Sequence, residues 1–380
     1  MSASVSYDRY LAIRHFGSLD GLRFICITAV IWHHTPFREN TLQHSILFQR
    51  GHVGVDFFFV LSGFLITTLL LREEAVKGGF SLRSFYWRRL LRIVPLYFFV
   101  VSLAAFYAIG VKGYTEQIEI LPYYYLFLSN FLTTEDIGFL SPTWSLSVEE
   151  QYYLIWPALL LFLPRRWIVP VLLTLIGVNV LSAIGFFGLL GVGPIETEHL
   201  RFAIEGATYA PILIGSLMAI LLNDRVWFVR MSQLTGFVGA PWLWFAALLL
   251  ALAACPGALE GWPNLLVHSL MALMLVSLVV REDNSMAPIL KFRPIERIGQ
   301  ISYGIYLYHL FALALVAKLF DFVGLTHWAL ILFCYYVMTV VIAEISFRTL
   351  EAWFLSFRHK RIGRVDASAT QNPDRGEYFR

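Results

Sequence analysis

Ten stretches of this chain are apolar for long enough to cross a lipid bilayer, and nothing else in the sequence limits the possible folds so sharply. A helix needs about 20 apolar residues to traverse roughly 30 Å of hydrocarbon. Segments 20–37, 53–71, 93–111, 146–163, 167–190, 205–222, 236–254, 264–280, 300–319 and 328–347 meet that need. Inside hydrocarbon every backbone N–H and C=O must be satisfied within the protein, which leaves helices or closed barrels, and runs this long belong to helices. The expected fold is an all-α polytopic membrane protein of about ten transmembrane helices, one domain over 1–357 followed by a polar tail over 358–380. Composition agrees, with 58% hydrophobic and only 14% charged residues, where a soluble domain carries about a quarter charged. That apolar content excludes a disordered chain, a collagen-like repeat or a nucleic-acid-binding module. Cys26, Cys255 and Cys334 have no paired spacing, so they offer neither a disulfide framework nor a C-x-x-C metal site.

Orientation follows from Lys and Arg, which favour the cytoplasmic side. With the N-terminus inside, only Arg38, Arg50, Lys112, Arg201 and Lys318 of the 29 basic residues fall outside, which leaves 24 within. Both termini are therefore expected in the cytoplasm, as an even number of spans requires. The first segment reads as a retained span rather than a cleaved leader, because Asp20 and Arg23 lie inside it and no A-x-A site follows. Residues 121–132 are apolar and tyrosine-rich but too short to cross; they are expected to lie in the outer interface or to re-enter between helices. Residues 281–299 are expected to form a polar, proline-containing cytoplasmic loop.

Ionisable groups inside hydrocarbon cost a few kcal/mol or more, so each one asks for a partner or a function. Arg23 and His34 are eleven residues apart in the first span. That is three helical turns, so both project from one face with a rise of roughly 16 Å between them. Histidine near its ordinary pKa can act as a general base; the competing reading is a hydrogen bond to a neighbouring helix. His33 points elsewhere. Asp56 enters the second span from outside at about the depth of His34, either as a charge favoured by the helix N-terminus or as the group that orients the histidine. Arg88, Arg89 and Arg92 crowd the inner end of the third span, where positive-inside anchoring competes with phosphate binding by guanidinium forks. Glu149 lies about one turn into the fourth apolar run and needs a cation, a histidine or a proton; Glu150 is expected at its rim. Ser302, Tyr306 and His309 share a face and read as polar glue between helices. His268, Glu205 and Glu344 have no motif around them and are taken as structural.

Together these segments resemble the acyltransferase-3 family of multi-span membrane O-acyltransferases. The likeness runs in order through LDGLRFICITAVIWHH, GVDFFFVLSGFLI, RRLLRIVP, TWSLSVEEQYYLIWP and SYGIYLYHL, and it is best over the first 160 residues. It implies about ten helices and transfer of an acyl group, acetyl in the common case, from cytoplasmic acyl-CoA to a hydroxyl outside. It also implies that His34 is the catalytic histidine, Arg23 the motif arginine and Glu149 the motif acid. Arg89 and Arg92, with Arg88 beside them, are implied to meet the acyl-CoA phosphates. The His33-His34 doublet departs from the pattern, and spacing selects His34. The fused esterase-like domain of some relatives is not expected here, so the acceptor would be handled by the membrane part or by a separate partner.

On this reading His34 deprotonates the acceptor hydroxyl, and Glu149 or Asp56 fixes its tautomer. The expected donor is acyl-CoA as a substrate, with no tightly bound cofactor and, for want of ligand spacing, no metal. The acceptor is expected to be a carbohydrate, a lipid-linked glycan or a related molecule, reached from the plasma (inner) membrane. The rival class is a proton-coupled transporter or exporter, which also buries Arg, His and Glu in its spans.

Overall fold

The computed structural model describes residues 5–35, 49–133, 137–202, 209–255 and 261–358. Glu205, Arg38 and all of the expected tail except Arg358 lie outside the described residues. Twelve helices matter for the site. They are α1 (Gly17–His33), α2 (Val53–Lys77), α3 (Leu82–Ala105), α4 (Thr143–Phe162), α5 (Arg165–Ala183), α6 (Ala210–Asn223), α7 (Arg225–Thr235), α8 (Ala240–Ala254), α9 (Trp262–Val280), α10 (Arg293–Gln300), α11 (Ser302–Val323) and α12 (Trp328–Ser346). A two-stranded antiparallel hairpin, β1 (Ile195–Glu196) with β2 (Arg201–Phe202), is the sheet among the described residues.

Six of the described helices are long and apolar enough to cross a membrane, and the bent pair α6–α7 would add a seventh. Each of the ten apolar stretches coincides with a helix. α1 and α8 are short, at 17 and 15 residues, and α4 is diluted by Glu149, Glu150 and Gln151. The outer surface is apolar, with Phe106 69%, Leu250 69% and Phe333 65% exposed, as lipid-facing positions require. These features make the chain an integral membrane protein built of helices.

Lipid is as apolar as leucine, so helices in a membrane associate through close packing rather than hydrophobic exclusion. Glycine supplies that closeness here. A Cβ at Gly63 of α2 would collide with the Ile212 carbonyl of α6, and one at Gly215 of α6 would collide with the Val60 carbonyl of α2. The two backbones touch. Between α6 and α7 the chain turns by 112°, and Asp224 caps the new helix by accepting from the amides of Val226 and Trp227 at 2.9 and 3.0 Å.

Two segments differ from simple expectation. Residues 281–299 are not a loose loop. They contain a turn of helix (Ala287–Leu290) and α10, and both pack on α1: a Cβ at Gly21 would strike Leu290, and one at Gly299 would strike the Asp20 carbonyl. Sequence polarity concealed this because Lys291 is satisfied locally by Glu282. The 121–132 segment forms a short helix, Leu121–Tyr125, and a 3-10 turn, Ser129–Phe131, and it is bound to α3 where the Tyr97 hydroxyl donates to the Tyr124 carbonyl at 2.9 Å.

Gly63→Val should lower the thermal midpoint of the detergent-solubilised protein, because overpacking against backbone costs about 1–3 kcal/mol or more. Gly79→Ala, where an added Cβ meets nothing within 4 Å, should leave the midpoint unchanged.

Candidate active site

α1 carries the two ends of the site. Arg23 lies six residues from its start and His34 caps its other end, so the helix sets their separation at roughly 16 Å.

Around Arg23 the structure gathers charge. Its guanidinium donates to Asp20 at 2.5 Å, and Asp20 also lies 3.3 Å from His15. The hydrogen bond to the Asp20 carboxylate holds the His15 pKa above its ordinary 6.5. Arg23 and Arg89 both lie within electrostatic reach of Arg92, although like charges repel. Arg89 stacks on Tyr153, 4.1 Å from the ring centre. Arg92 itself keeps an accessible surface. Three neighbouring arginines suit an anion with several oxygens.

The acids stand among them. Glu149 accepts from the Ser62 hydroxyl at 2.5 Å and feels Arg89 and Arg23. Glu150 also faces Arg89, and Glu351 faces Arg92. Glu150 is therefore a member of the cluster and not a rim residue. Arg88 has a different task. It donates to Glu73 at 3.0 Å and to Ser84 at 2.6 Å, which ties α3 to α2.

At the other end of α1 the histidines meet. The His34 ring packs edge-on against His309 of α11 with centres 4.8 Å apart. His33 packs against His34 and His52, at 5.3 and 5.2 Å. His34 Nδ1 lies 2.9 Å from the Val30 carbonyl. A carbonyl can only accept, so Nδ1 carries the proton and Nε2 the lone pair. His34 thus presents a base nitrogen, and its own helix backbone fixes the tautomer. Asp56, weighed as the orienter, lies 3.3 Å from His268 of α9, and Glu149 lies with Ser62, Arg89 and Arg23.

α11 parallels this division. The Tyr303 hydroxyl donates to the Ile93 carbonyl of α3 at 2.9 Å and lies near Glu149, Glu150 and Glu351. His309 comes six residues later, at the histidine end. The Tyr306 hydroxyl joins Ser145 and the Pro142 carbonyl of the α4 entry at 2.7 and 2.9 Å. Sequence reasoning treated His309 as glue, because its contact with His34 spans 275 residues and no periodicity reveals it. Ser62 and Tyr153 carried no signal at all. Glu344 accepts both arms of Arg297 at 3.0 Å, a structural clamp.

Two groups of ligand-type atoms lie close enough together to hold a metal among the described residues: His15, Asp20 and Glu296, and Glu119, Glu198 and His199. Neither includes His34.

α1 thus joins a group of histidines at one end to a group of arginines toward the other, side chains suited to acid–base chemistry and anion binding. The comparison with known families agrees: residues 16–347 match the family described as "Acyltransferase domain", and the chain belongs to that acyltransferase-3 family. It is 28% identical over 92% of its length to "Peptidoglycan O-acetyltransferase OatA" of Listeria monocytogenes, of which the match covers 57%. It is 26% identical over 89% of its length to "Putative peptidoglycan O-acetyltransferase YrhL" of Bacillus subtilis, covering 54% of that protein. The chain thus spans little more than half of these relatives. No solved structure matches.

Proposed function

We propose that this chain is a membrane O-acyltransferase that moves an acyl group, acetyl by preference, from cytoplasmic acyl-CoA to a glycan hydroxyl on the far side. One observation carries the reading. A single helix bears both His34, with its Nε2 lone pair set by the Val30 carbonyl, and Arg23, within electrostatic reach of Arg92 together with Arg89. The family match and the names of the relatives favour acyl transfer over the transporter alternative. Those names point to peptidoglycan or a similar surface glycan as the acceptor class.

In the proposed step, His34 Nε2 takes the proton of the acceptor hydroxyl. The oxygen attacks the thioester carbonyl, the C–O bond forms and the C–S bond breaks. The departing thiolate recovers the proton from His34. Arg23, Arg89 and Arg92 hold the phosphates of the donor, whose thin acyl arm threads between the helices toward His34. The proposed topology has ten spans with both termini in the cytoplasm of a plasma-membrane protein. Its support is the helix found at each of the ten stretches and the skew of basic residues.

His34→Ala should abolish acyl transfer at equal protein level, with His33→Ala far milder. O-acetyl release from surface glycans of expressing cells reads both, and a reversed order would assign the base to His33. Arg89→Lys with Arg92→Lys keeps the charge but removes the planar forks. At roughly 1–2 kcal/mol per lost bidentate contact, the half-saturating acyl-CoA concentration should rise tens- to hundreds-fold with acceptor dependence little changed. An unchanged acyl-CoA dependence would return the pair to membrane anchoring. In a cysteine-free background, a cysteine at Ser84 should resist an impermeant external thiol reagent and one at Thr197 should react. The opposite pattern would put the arginines outside and end the donor assignment.

A further inference from the structure

Beyond the histidine end of the site lies an open cavity of about 440 Å³ that the proposed step does not use. Small-molecule sites fall in this size range, mostly apolar and aromatic with a few convergent polar groups. Tyr107 and Lys112 enter its wall from the far end of α3, Gln117 and Phe139 from the segments that follow, and Leu310 and Leu313 from α11. The end of α3 is wound as a π-helical turn, Phe106–Val111, closed where the Lys112 amide donates to the Tyr107 carbonyl at 3.0 Å. Such turns are frequent at functional sites.

Two lysines meet at this wall. Lys112 Nζ lies 5.8 Å and Lys318 Nζ 5.6 Å from the centre of the same Tyr107 ring, and Lys318 also donates to the Tyr107 hydroxyl at 3.4 Å. Among the described residues the lysines in ion pairs are Lys77 and Lys291, so neither of these two has a carboxylate partner there. Membrane anchoring does not account for them. Basic residues are favoured on the cytoplasmic side, and these are two of only five expected outside. Two unmatched cations suit an anion.

Gln117 favours a sugar as the carrier of that charge. Its side-chain oxygen is buried and meets no donor among the described residues, and buried acceptors are almost always satisfied. A lipid tail or a phosphodiester has no proton to give it, whereas a sugar hydroxyl has one. Tyr107 and Phe139, edge to face at 5.5 Å between centres, add the aromatic surface on which the C–H face of a sugar ring can rest.

We infer that this cavity binds an acidic sugar unit of the acceptor glycan. The ring lies against Tyr107 and Phe139, the anionic group meets Lys112 and Lys318, and one hydroxyl donates to Gln117. The inference rests on the proposal that the chain acylates a glycan on that side, and it adds that this glycan carries negative charge. The place suits a neighbour of the unit being acylated. Leu313 follows His309 by four residues, about 6 Å along the same face of α11, and His309 packs against His34.

The test uses the full-length protein in phosphatidylcholine nanodiscs, without acetyl-CoA. The probe is the disaccharide of N-acetylglucosamine and N-acetylmuramic acid, its lactyl carboxylate free, compared with the neutral methyl ester by calorimetric titration. Wild type should bind the acid more tightly than the ester, on the order of tenfold. Lys112→Gln with Lys318→Gln should bring that ratio close to one, and Gln117→Leu should weaken both forms alike. In acetyl transfer the double glutamine variant should need more of the acid acceptor for half-saturation, with acetyl-CoA dependence unchanged. A wild-type ratio near one, a ratio that survives the double substitution, or wild-type binding by Gln117→Leu overturns the assignment. So does lysine-dependent retention of phosphatidylglycerol without any preference for the acid, which would give the cavity to a lipid. Wild type that acetylates surface glycan yet shows no preference removes the cavity assignment alone. Wild type that shows the preference yet transfers no acetyl group removes the acyl-transfer reading, and the acceptor role of the cavity with it.

Discussion

Charge in hydrocarbon is tolerated only in company, and the interior of this protein is organised by that constraint. An isolated ion in a membrane span costs a few kcal/mol or more, and breaking a buried pair leaves its partner stranded. Arg23 has Asp20, Arg88 has Glu73, Arg297 has Glu344, and Glu149 has Ser62 and the field of Arg89. Arg92 is the informative case, since its nearest charged neighbours include two further cations. Glu351 and Asp20 offset part of that repulsion.

The helix packing holds these groups in place. Gly63 and Gly215 let α2 and α6 meet backbone to backbone, so the scaffold beneath Ser62 has little freedom to slide. Gly21 and Gly299 clamp α1 against the 287–300 region in the same way. Arg23 and His34 inherit their spacing from α1 itself, so the two ends of the site are coupled by one rigid element rather than by a chain of contacts.

Much of this was legible in the sequence. Apolar run length located every long helix, because the bilayer imposes one length scale on all of them. The eleven-residue interval from Arg23 to His34 was readable because both residues ride on one helix, where spacing is geometry. The His34–His309 contact, the Ser62–Glu149 hydrogen bond and the Arg92–Glu351 proximity were not readable, since each joins helices whose rotation depends on all their neighbours. Asp56 shows the same limit. Its place in the run does not tell which helix it faces, and it lies 3.3 Å from His268 of α9. The 281–299 segment looked like a loop because Lys291 pairs with Glu282 within it, and the two glycines that fit it to α1, Gly21 on the helix and Gly299 in the segment, are silent in composition.

Both candidate histidines secure their tautomer from a carbonyl three or four residues back on the same helix. In many enzymes a carboxylate on another element performs that service, and the imidazole loses its bearings when the element moves away. Here a lateral separation of α1 and α11 would leave each ring's proton on the same nitrogen. Opening and closing of that seam would alter only the distance between two lone pairs, so readiness for chemistry is built into each helix separately and only alignment depends on their meeting.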